Sequence, residues 1–552
     1  MYNLLIGGAA GQGIDTTSAI LEKILKRAGY SVFTCRDFMS RIRGGHNFYL
    51  MRFGEKEVIS HSYNLDGIIA MDEETINIHS NELKKDGFIL CDTSIEIEDS
   101  RILKIAMEDI AKKLGNIRVS GSIAIGAVLK LFNEDYSNIE EVLQSFLDER
   151  YVDINLKAVK AGYDSIETRY PRLKGRFDDW MLLSGSNAIA LGAIAAGIKF
   201  YSAYPMSPAT PIMGYLATKG RDCGIVVEQA EDEIAAINMA IGASYAGARS
   251  MTATSGGGFS LMVEALGLSG MAEIPLVVVN MQRPGPATGL PTRTEQGDLK
   301  FMISASQGEF PRMVIAFRTH KDAFYQTVRA FNLAEKYQIP VILLGDQYLG
   351  DASATVEPFE INSIETDYSN YEYSDEYLRY KYTKSGVSPR LIPMKSKNLV
   401  TIDSDEHDEK GKITESAKVR VQMMDKRMKK LILIEQELQE PQFLGAVDYD
   451  ILLIGWGSTY GPISEAIELL NSKKSKKYAA LIFGDIFPLP QKLLIEKSKK
   501  AKQIINIEQN ATGQLAGLIR EYTGIICSKS ILKYDGRQIT GEEIVKRIKG
   551  GI

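Results

Sequence analysis

The chain has 552 residues, 65 Lys and Arg against 70 Asp and Glu, a formal net charge of −5, and 45% hydrophobic residues. That balance excludes the basic excess with which proteins neutralise nucleic-acid phosphates, and the length predicts about three or four domains at roughly 150 residues each. No apolar run approaches the ~20 residues that span a bilayer, and "MYNLLIGGAAGQGID" reads as a first strand entering a glycine loop instead of a signal peptide. A cytoplasmic location without membrane or nucleic-acid partners is expected.

Residues 1–170 alternate short apolar runs with helical patterns. "YNLLIGG" precedes a helix over Thr16–Ala28, and "YSVFTC", "FYLMRFG", "LDGIIAM", "GFILCD" and "RILKIAM" follow as strands. Apolar runs separated by helices predict a parallel sheet. Residues 171–181, "PRLKGRFDDWM", read as a linker. The next domain alternates again, with strands at "RSMTATS", "PLVVVNM", "FPRMVIAF" and "IPVILLGD" and Ala/Gly-rich helices between them. From 356 to 445 the chain turns charged and Tyr-rich and reads as an extended, solvated connection. "VRVQMMDKRMKKLILIEQEL" is expected to be a helix within it. "YDILLIGWGSTYGP", "AALIFGDIFPLP" and "QIINIEQNATGQL" then outline a third α/β unit.

Cys35, Cys91, Cys223 and Cys527 lie far apart with no CxxC pair, and the five histidines show no HxxxH or HExxH spacing. Clusters and structural zinc need thiolates at close spacing, so small buried thiols and no metal site are expected. In "GGAAGQGID", bare N–H groups at a helix N-terminus suit an anion. The loop is neither a Walker A motif, because Ile14 and Asp15 follow Gly13, nor a dinucleotide fingerprint, because Ala10 breaks the frame from Gly8 to Gly13. A tight turn without a ligand stays open as the competing reading.

Four segments between 182 and 300 look like strand tips entering loops, where open α/β sheets bind ligands. In "SAYPMSPATPI", Pro205 and Pro208 stiffen the backbone around the Ser207 hydroxyl. "EQAEDEIAAINMAIGASYAGA" places Glu228, Glu231, Asp232 and Glu233 before a helix, where acids complement the macrodipole. "TATSGGGFSLM" carries Gly256, Gly257 and Gly258, which permit close approach of a flat ring or simple close packing. "VVVNMQRPGPATGLPTRTEQGDL" holds Arg283 just past a strand tip, before Pro284, with Thr292 and Arg293 further along. A guanidinium grips a carboxylate bidentately. Carboxylate, hydroxyl and guanidinium together suit a thiamine-type cofactor and a 2-oxoacid better than a metal or a nucleic acid.

Three blocks carry a family resemblance: "GGAAGQGIDTTS" with "RIRGGHNFYLMRFG", then "YPMSP" to "TRTEQGDL", then "INIEQNATGQLAGLIR". In this order they resemble the alpha subunit of a 2-oxoacid:ferredoxin (acceptor) oxidoreductase with the gamma domain fused at its N-terminus. The resemblance implies an α/β fold of three parallel-sheet domains: a gamma-like domain at 1–172, a thiamine-diphosphate-fold pyrimidine domain at 182–355, an extended linker at 356–445, and a transketolase C-terminal-like domain at 446–552. It implies oxidative decarboxylation of a 2-oxoacid, with the acyl group passed to coenzyme A and electrons passed through [4Fe–4S] to ferredoxin or flavodoxin, in anaerobic metabolism. Relatives act on pyruvate, 2-oxoglutarate, branched-chain oxoacids or aryl pyruvates, and the fused arrangement favours 2-oxoglutarate.

The resemblance also assigns residues. Glu233, nine positions before Gly242, matches the family's cofactor-activating glutamate, with Glu231 as the alternative. Ser207, Arg283 and Thr292 are expected to bind substrate, and Pro205, Gly256 and Gly257 to line the cofactor. Gly11, Gly13, Arg43, Gly44 and Gly45 are expected at coenzyme A phosphates. Relatives usually read Tyr-Pro-Ile-Thr-Pro where this chain has Met206 and Ser207, which keeps the hydroxyl and loses a methyl. "GWGSTYGP" and "INIEQNATGQL" read as structural or interface elements. The chain has no GDG followed by paired Asn and no cluster cysteines. The diphosphate and Mg2+ are therefore expected on a beta subunit that also carries the iron–sulfur cluster, in a higher dimer of heterodimers. A nucleotide-binding oxidoreductase and a non-catalytic assembly subunit are the rival readings.

Overall fold

Leu4, Leu5 and Ile6 are fully buried and set β1 (Tyr2–Ala9) inside an eight-stranded sheet. The structure is a computed structural model and describes residues 1–38, 45–367, 376–472 and 477–550. It comprises two compact units, Met1–Leu183 with Ala352–Pro358, and Ser184–Asp351 with Phe359–Ile552. In the first unit β1 leads into α1 (Ile14–Arg27), which buries Ile14, Thr17, Ser18, Leu21, Ile24 and Leu25 at helical spacing against the sheet. Then come β2 (Ser31–Phe38), β3 (His46–Gly54), β4 (Leu65–Ala70), β5 (Leu83–Asp92), β6 (Ile102–Ile105) and β7 (Met181–Ser184). The sheet runs β6-β5-β4-β1-β3-β2, then a strand Ser353–Val356 from far along the chain, then β7.

This sheet corrects the all-parallel expectation. β1, β4, β5 and β6 pair in parallel, but β3 pairs antiparallel with both β1 and β2. The connection from Phe38 to His46 is too short for a helical crossover, so β2 and β3 fold back on each other.

The second unit holds two sheets. One is built from β8 (Phe200–Ala203), β9 (Val226–Gln229), β10 (Ser250–Thr254), β11 (Leu276–Gln282), β12 (Met313–Ala316) and β13 (Pro340–Asp346), all parallel where they pair. The chain then supplies β14 (Ser353–Val356) to the first sheet. The other sheet, ordered β15-β17-β16-β19-β20, comprises β15 (Gln442–Gly445), β16 (Ile451–Trp456), β17 (Tyr478–Phe483), β19 (Gln503–Glu508) and β20 (Lys529–Leu532). It is parallel except for β15. Directly after β17, β18 (Asp485–Phe487) crosses to pair antiparallel with β12. One apolar cluster runs from Val278 and Ile342 through Leu452, Leu481 and Leu515, so the two sheets share a core.

The 356–445 segment is not the solvated connection its composition predicts. Tyr380 and Lys430 are fully buried, and Arg379, Arg390 and Lys426 nearly so. Charge there is neutralised inside: Arg390 pairs with Glu335 at 2.7 Å, and Lys426 and Lys430 each reach Glu273 at 2.5 Å. The expected helix is present as Ala417–Glu437, capped by Ser416.

Candidate active site

The strand order β12-β13-β11-β10-β8-β9 reverses direction at one point. β8 leads outward to β9, whereas β10 leads the other way to β11. Open α/β sheets bind ligands in the crevice outside the carboxyl ends of the strands at such a switch point. The segments that follow β8, β9, β10 and β11 carry Ser207, Glu233, Gly256 and Arg283 respectively, Glu233 and Gly256 each opening a helix.

Glu233 is the first residue of α2 (Glu233–Tyr245), and Asp232 caps the helix by accepting the Ala235 N–H at 2.7 Å. Glu228, Glu231 and Asp232 are exposed, whereas Glu233 is 3% exposed. Its Oε1 is buried with no hydrogen-bond partner. Such an orphaned acceptor costs about 1–3 kcal/mol, which suits a place kept for a ligand donor. The glycine run makes the room. At Gly258, in the first turn of α3 (Gly256–Met271), an added Cβ would stand 2.1 Å from Thr254 Oγ1 and 2.5 Å from Glu233 Oε1. Gly257 is exposed, with the Ala287 carbonyl 3.9 Å from where a Cβ would stand, and at Gly256 a Cβ would come within 2.6 Å of Asp298 Oδ2.

Arg283 is half-buried, and its Nη1 donates to the Ser207 carbonyl at 2.8 Å. Two residues expected to meet the substrate are therefore already joined, through the serine backbone and not its hydroxyl. Pro205 lies half-buried in the same loop. Asp298, which the sequence reading passed over within "TEQGDL", sits between Arg283 and Gly256. It accepts from Asn280 Nδ2 at 3.0 Å, and its N–H donates to Gln282 Oε1 at 3.0 Å. Burial raises its carboxyl above the usual range, opposed by Asn280 and the Arg283 cation. Burial likewise lowers Arg283, and Asp298 counters it. Glu295, half-buried nearby, is pushed up to about 7 by burial and by the Asp298 charge. Thr292 and Arg293 are half-buried in this loop. Asn280, Glu295 and Asp298 went unnoticed because they meet only when the loop after β11 folds back onto that strand. The one available signal was a pair of acids closing a Pro/Gly loop.

In the first unit, Gly13 adopts φ 79°, the left-handed conformation that glycine tolerates, and leads straight into α1. Space beside Gly11 and Gly13 is open. Gly45 is exposed just before β3, whose His46 pairs with Ala9 at the end of β1, so Gly45 and the glycine loop share one sheet edge. Arg43 and Gly44 lie outside the described residues. Among the described residues no group of His, Cys, Asp and Glu gathers as a metal site, and no helix is long and apolar enough to cross a membrane.

A buried carboxylate and a tethered guanidinium at a parallel-sheet switch point fit an oxidoreductase subunit with a thiamine-diphosphate-binding domain. Family models agree: residues 191–426 match "Pyruvate flavodoxin/ferredoxin oxidoreductase, thiamine diP-bdg", and residues 3–165 match "Pyruvate ferredoxin/flavodoxin oxidoreductase". The 2-oxoacid:ferredoxin oxidoreductase subunit alpha of a Sulfolobus species is 34% identical over 622 aligned positions, covering 99% of this chain and 97% of that protein. The 2-oxoglutarate synthase subunit KorA of Archaeoglobus fulgidus is 32% identical and covers 67% of this chain. The solved 2-oxoglutarate:ferredoxin oxidoreductase of Magnetococcus marinus, with 2-oxoglutarate, coenzyme A and succinyl-CoA bound, is 31% identical. It superposes with a TM-score of 0.93 over 100% of this chain and 99% of that one. The chain belongs to the alpha subunits of the 2-oxoacid:ferredoxin oxidoreductase family.

Proposed function

We propose that this chain supplies the cofactor-activating and substrate-gripping half of a thiamine-diphosphate-dependent enzyme that oxidatively decarboxylates 2-oxoglutarate. The acyl group goes to coenzyme A and the electrons to ferredoxin. One observation carries the reading: a buried Glu233 with an unpaired Oε1, at the switch point, packed against Gly258 where any larger residue would crowd it. Thiamine diphosphate supplies, when bound, the electron sink that a 2-oxoacid needs in order to lose CO2. Glu233 would hold a proton between Oε1 and the pyrimidine ring nitrogen, a task for a buried carboxyl. Arg283, oriented by the Ser207 carbonyl, would offer its remaining N–H groups to the oxoacid carboxylate. The Ser207 hydroxyl and Thr292 would complete that pocket, with Pro205, Gly256 and Gly257 against the cofactor. In the first unit, Gly11, Gly13 and Gly45, with Arg43 and Gly44, would meet coenzyme A phosphates.

The diphosphate with its Mg2+, and the iron–sulfur cluster, would belong to a beta subunit. The choice of 2-oxoglutarate rests on the full-length likeness to a relative solved with that substrate. Burial of Glu233 and tethering of Arg283 at one sheet edge weigh against a purely scaffolding subunit.

The test is the beta-reconstituted complex, assayed against a panel of 2-oxoacids, with deuterium exchange followed at C2 of bound thiamine diphosphate. Glu233→Gln should assemble normally and slow exchange by about 10²–10⁴-fold, the worth of a positioned acid/base group. Glu231→Gln should not. If the effect follows Glu231, the assignment moves two residues; if neither slows exchange, the thiamine reading fails.

A further inference from the structure

We infer that Gln296 is a positioning residue through which the C-terminal sheet holds the substrate loop in register, with Gln509 as its counterpart. The inference rests on the oxoacid-binding role proposed for Arg283 and Thr292.

Gln296 is fully buried, and all four of its polar groups engage the strand ends of the C-terminal sheet. Its N–H donates to the Gln509 carbonyl at 2.7 Å, and its carbonyl accepts from Asn510 Nδ2 at 3.1 Å. Its side-chain Oε1 accepts the Gln509 N–H at 3.2 Å, and its Nε2 donates to the Trp456 carbonyl at 2.9 Å. The partners are held in turn. Gln509 accepts the Ile539 N–H at 2.6 Å and donates to Gln538, which donates to the Ser458 carbonyl at 3.1 Å. Ser458 donates to Asp346 at the end of β13. Glu508 accepts from Trp456 Nε1, Asn510 Nδ2 and the N–H groups of Leu515 and Ala516 at 2.8–3.1 Å.

Either side of Gln296 the loop is pinned again. The Thr294 N–H donates to the Gly536 carbonyl at 3.1 Å, while Gln514 receives the Lys300 N–H at 2.8 Å and donates to the Gly297 carbonyl at 2.7 Å. These fixings span Thr294 to Lys300, directly after Thr292 and Arg293, and hold Asp298 against Asn280, Gly256 and Arg283 at the switch point. The "GWGSTYGP" and "INIEQNATGQL" motifs thus grip the loop that closes the candidate site. A buried polar seam with every member satisfied specifies a single arrangement, and displacement of a binding group by about 1 Å can cost on the order of 100-fold.

The test uses the reconstituted complex. Gln296→Leu removes the donor to Trp456 and the acceptor for Gln509 without adding charge. Gln514→Met loosens the same loop from the other side and serves if Gln296→Leu fails to assemble. Asn471→Ala is the control: Asn471 makes two hydrogen bonds to the Tyr478 backbone at 2.8 and 3.0 Å, and losing them weakens the C-terminal sheet without touching the loop. Both loop variants should raise the oxoacid KM about 10-fold or more, change the ratio of 2-oxoglutarate to pyruvate turnover, and leave thiamine diphosphate affinity unaltered. Asn471→Ala should lower thermal stability without moving KM. An unchanged KM in the loop variants, or an equal rise in Asn471→Ala, overturns the inference. A wild-type complex silent on every oxoacid refutes the underlying reading instead.

Discussion

Arg283 sits in an environment that its sequence context does not show. Along the chain no acid stands next to it, yet folding brings Asp298 close enough to oppose the effect of burial on the guanidinium. The two make no direct ion pair, and the guanidinium donates to the Ser207 carbonyl. The guanidinium is thus oriented by a neutral acceptor, which on the proposed reading leaves its charge for the oxoacid carboxylate. Lysine would keep the charge and lose the planar fork, and at a bidentate site that exchange is not conservative. Arg283→Lys in the assembled enzyme is expected to raise the KM of every 2-oxoacid by about 10-fold or more, since one bidentate contact is worth more than the ~1.4 kcal/mol of a tenfold change. Thiamine diphosphate affinity should not change. A fall in cofactor affinity at constant KM would instead give Arg283 to the cofactor or the fold. The places of Glu233 and Arg283 soon after β9 and β11 follow from local sequence, Glu233 by its spacing to Gly242 and Arg283 by its step past a strand tip. Asn280 and Asp298 were not legible there, because the bond between them depends on how the loop after β11 folds back.

Whole elements were read well where apolar runs were long. β1 to β6, β10 to β13 and the Ala417–Glu437 helix stand where alternation and periodicity put them. Reading failed where pairing or neutralisation was nonlocal, as with antiparallel β3 and the charged 356–445 segment. That segment is tied down by Glu273, which is fully buried, takes φ 51°, and forms ion pairs with Lys426 and Lys430 while Arg379 donates to its carbonyl. The surrounding cations hold the Glu273 carboxyl well below the usual range, and burial pushes Lys430 down to about 7. For Glu273 the folded value is depressed, so its stabilisation is present above its ordinary value near 4.5 and is lost as pH falls below that. For Lys430 the folded value is also depressed, so its burial penalty is largest below pH 7 and eases as pH rises toward 10.5. Both shifts make acid the weak side. Removing one partner of a buried ionic cluster costs about 3–5 kcal/mol. Glu273→Gln should therefore lower denaturant stability at pH 7 by about that amount and abolish the extra loss of stability that wild type shows below pH 4.5. Equal stability of the two proteins at neutral pH would show that the cluster is solvated.

At the scale of the whole molecule, the three α/β sheets were legible, whereas their grouping into two compact units was not. The joins are made by β14, which rejoins the first sheet, and by β18, which extends the second; both are too short to carry a periodic signal. The cysteines bear on what the chain can hold by itself. They come from separate elements, and burial raises the Cys35 and Cys91 thiols and pushes Cys527 up to about 12. Cluster iron is ligated by thiolate, not thiol, so these environments oppose ligation one by one, while their separation opposes it as a set. On the proposed division of labour, electrons from an oxoacid then pass to a cluster on the beta subunit. Purified alone, it is expected to be colourless, with no iron–sulfur band near ~400 nm and no oxidation of any 2-oxoacid when thiamine diphosphate, Mg2+ and coenzyme A are supplied. Adding the beta subunit should restore both the brown colour and turnover. A brown preparation of this chain alone, its band bleaching on reduction and its iron and sulfide in stoichiometric amounts, would mean that the cysteines regroup, and the division of labour between the two subunits would have to be redrawn.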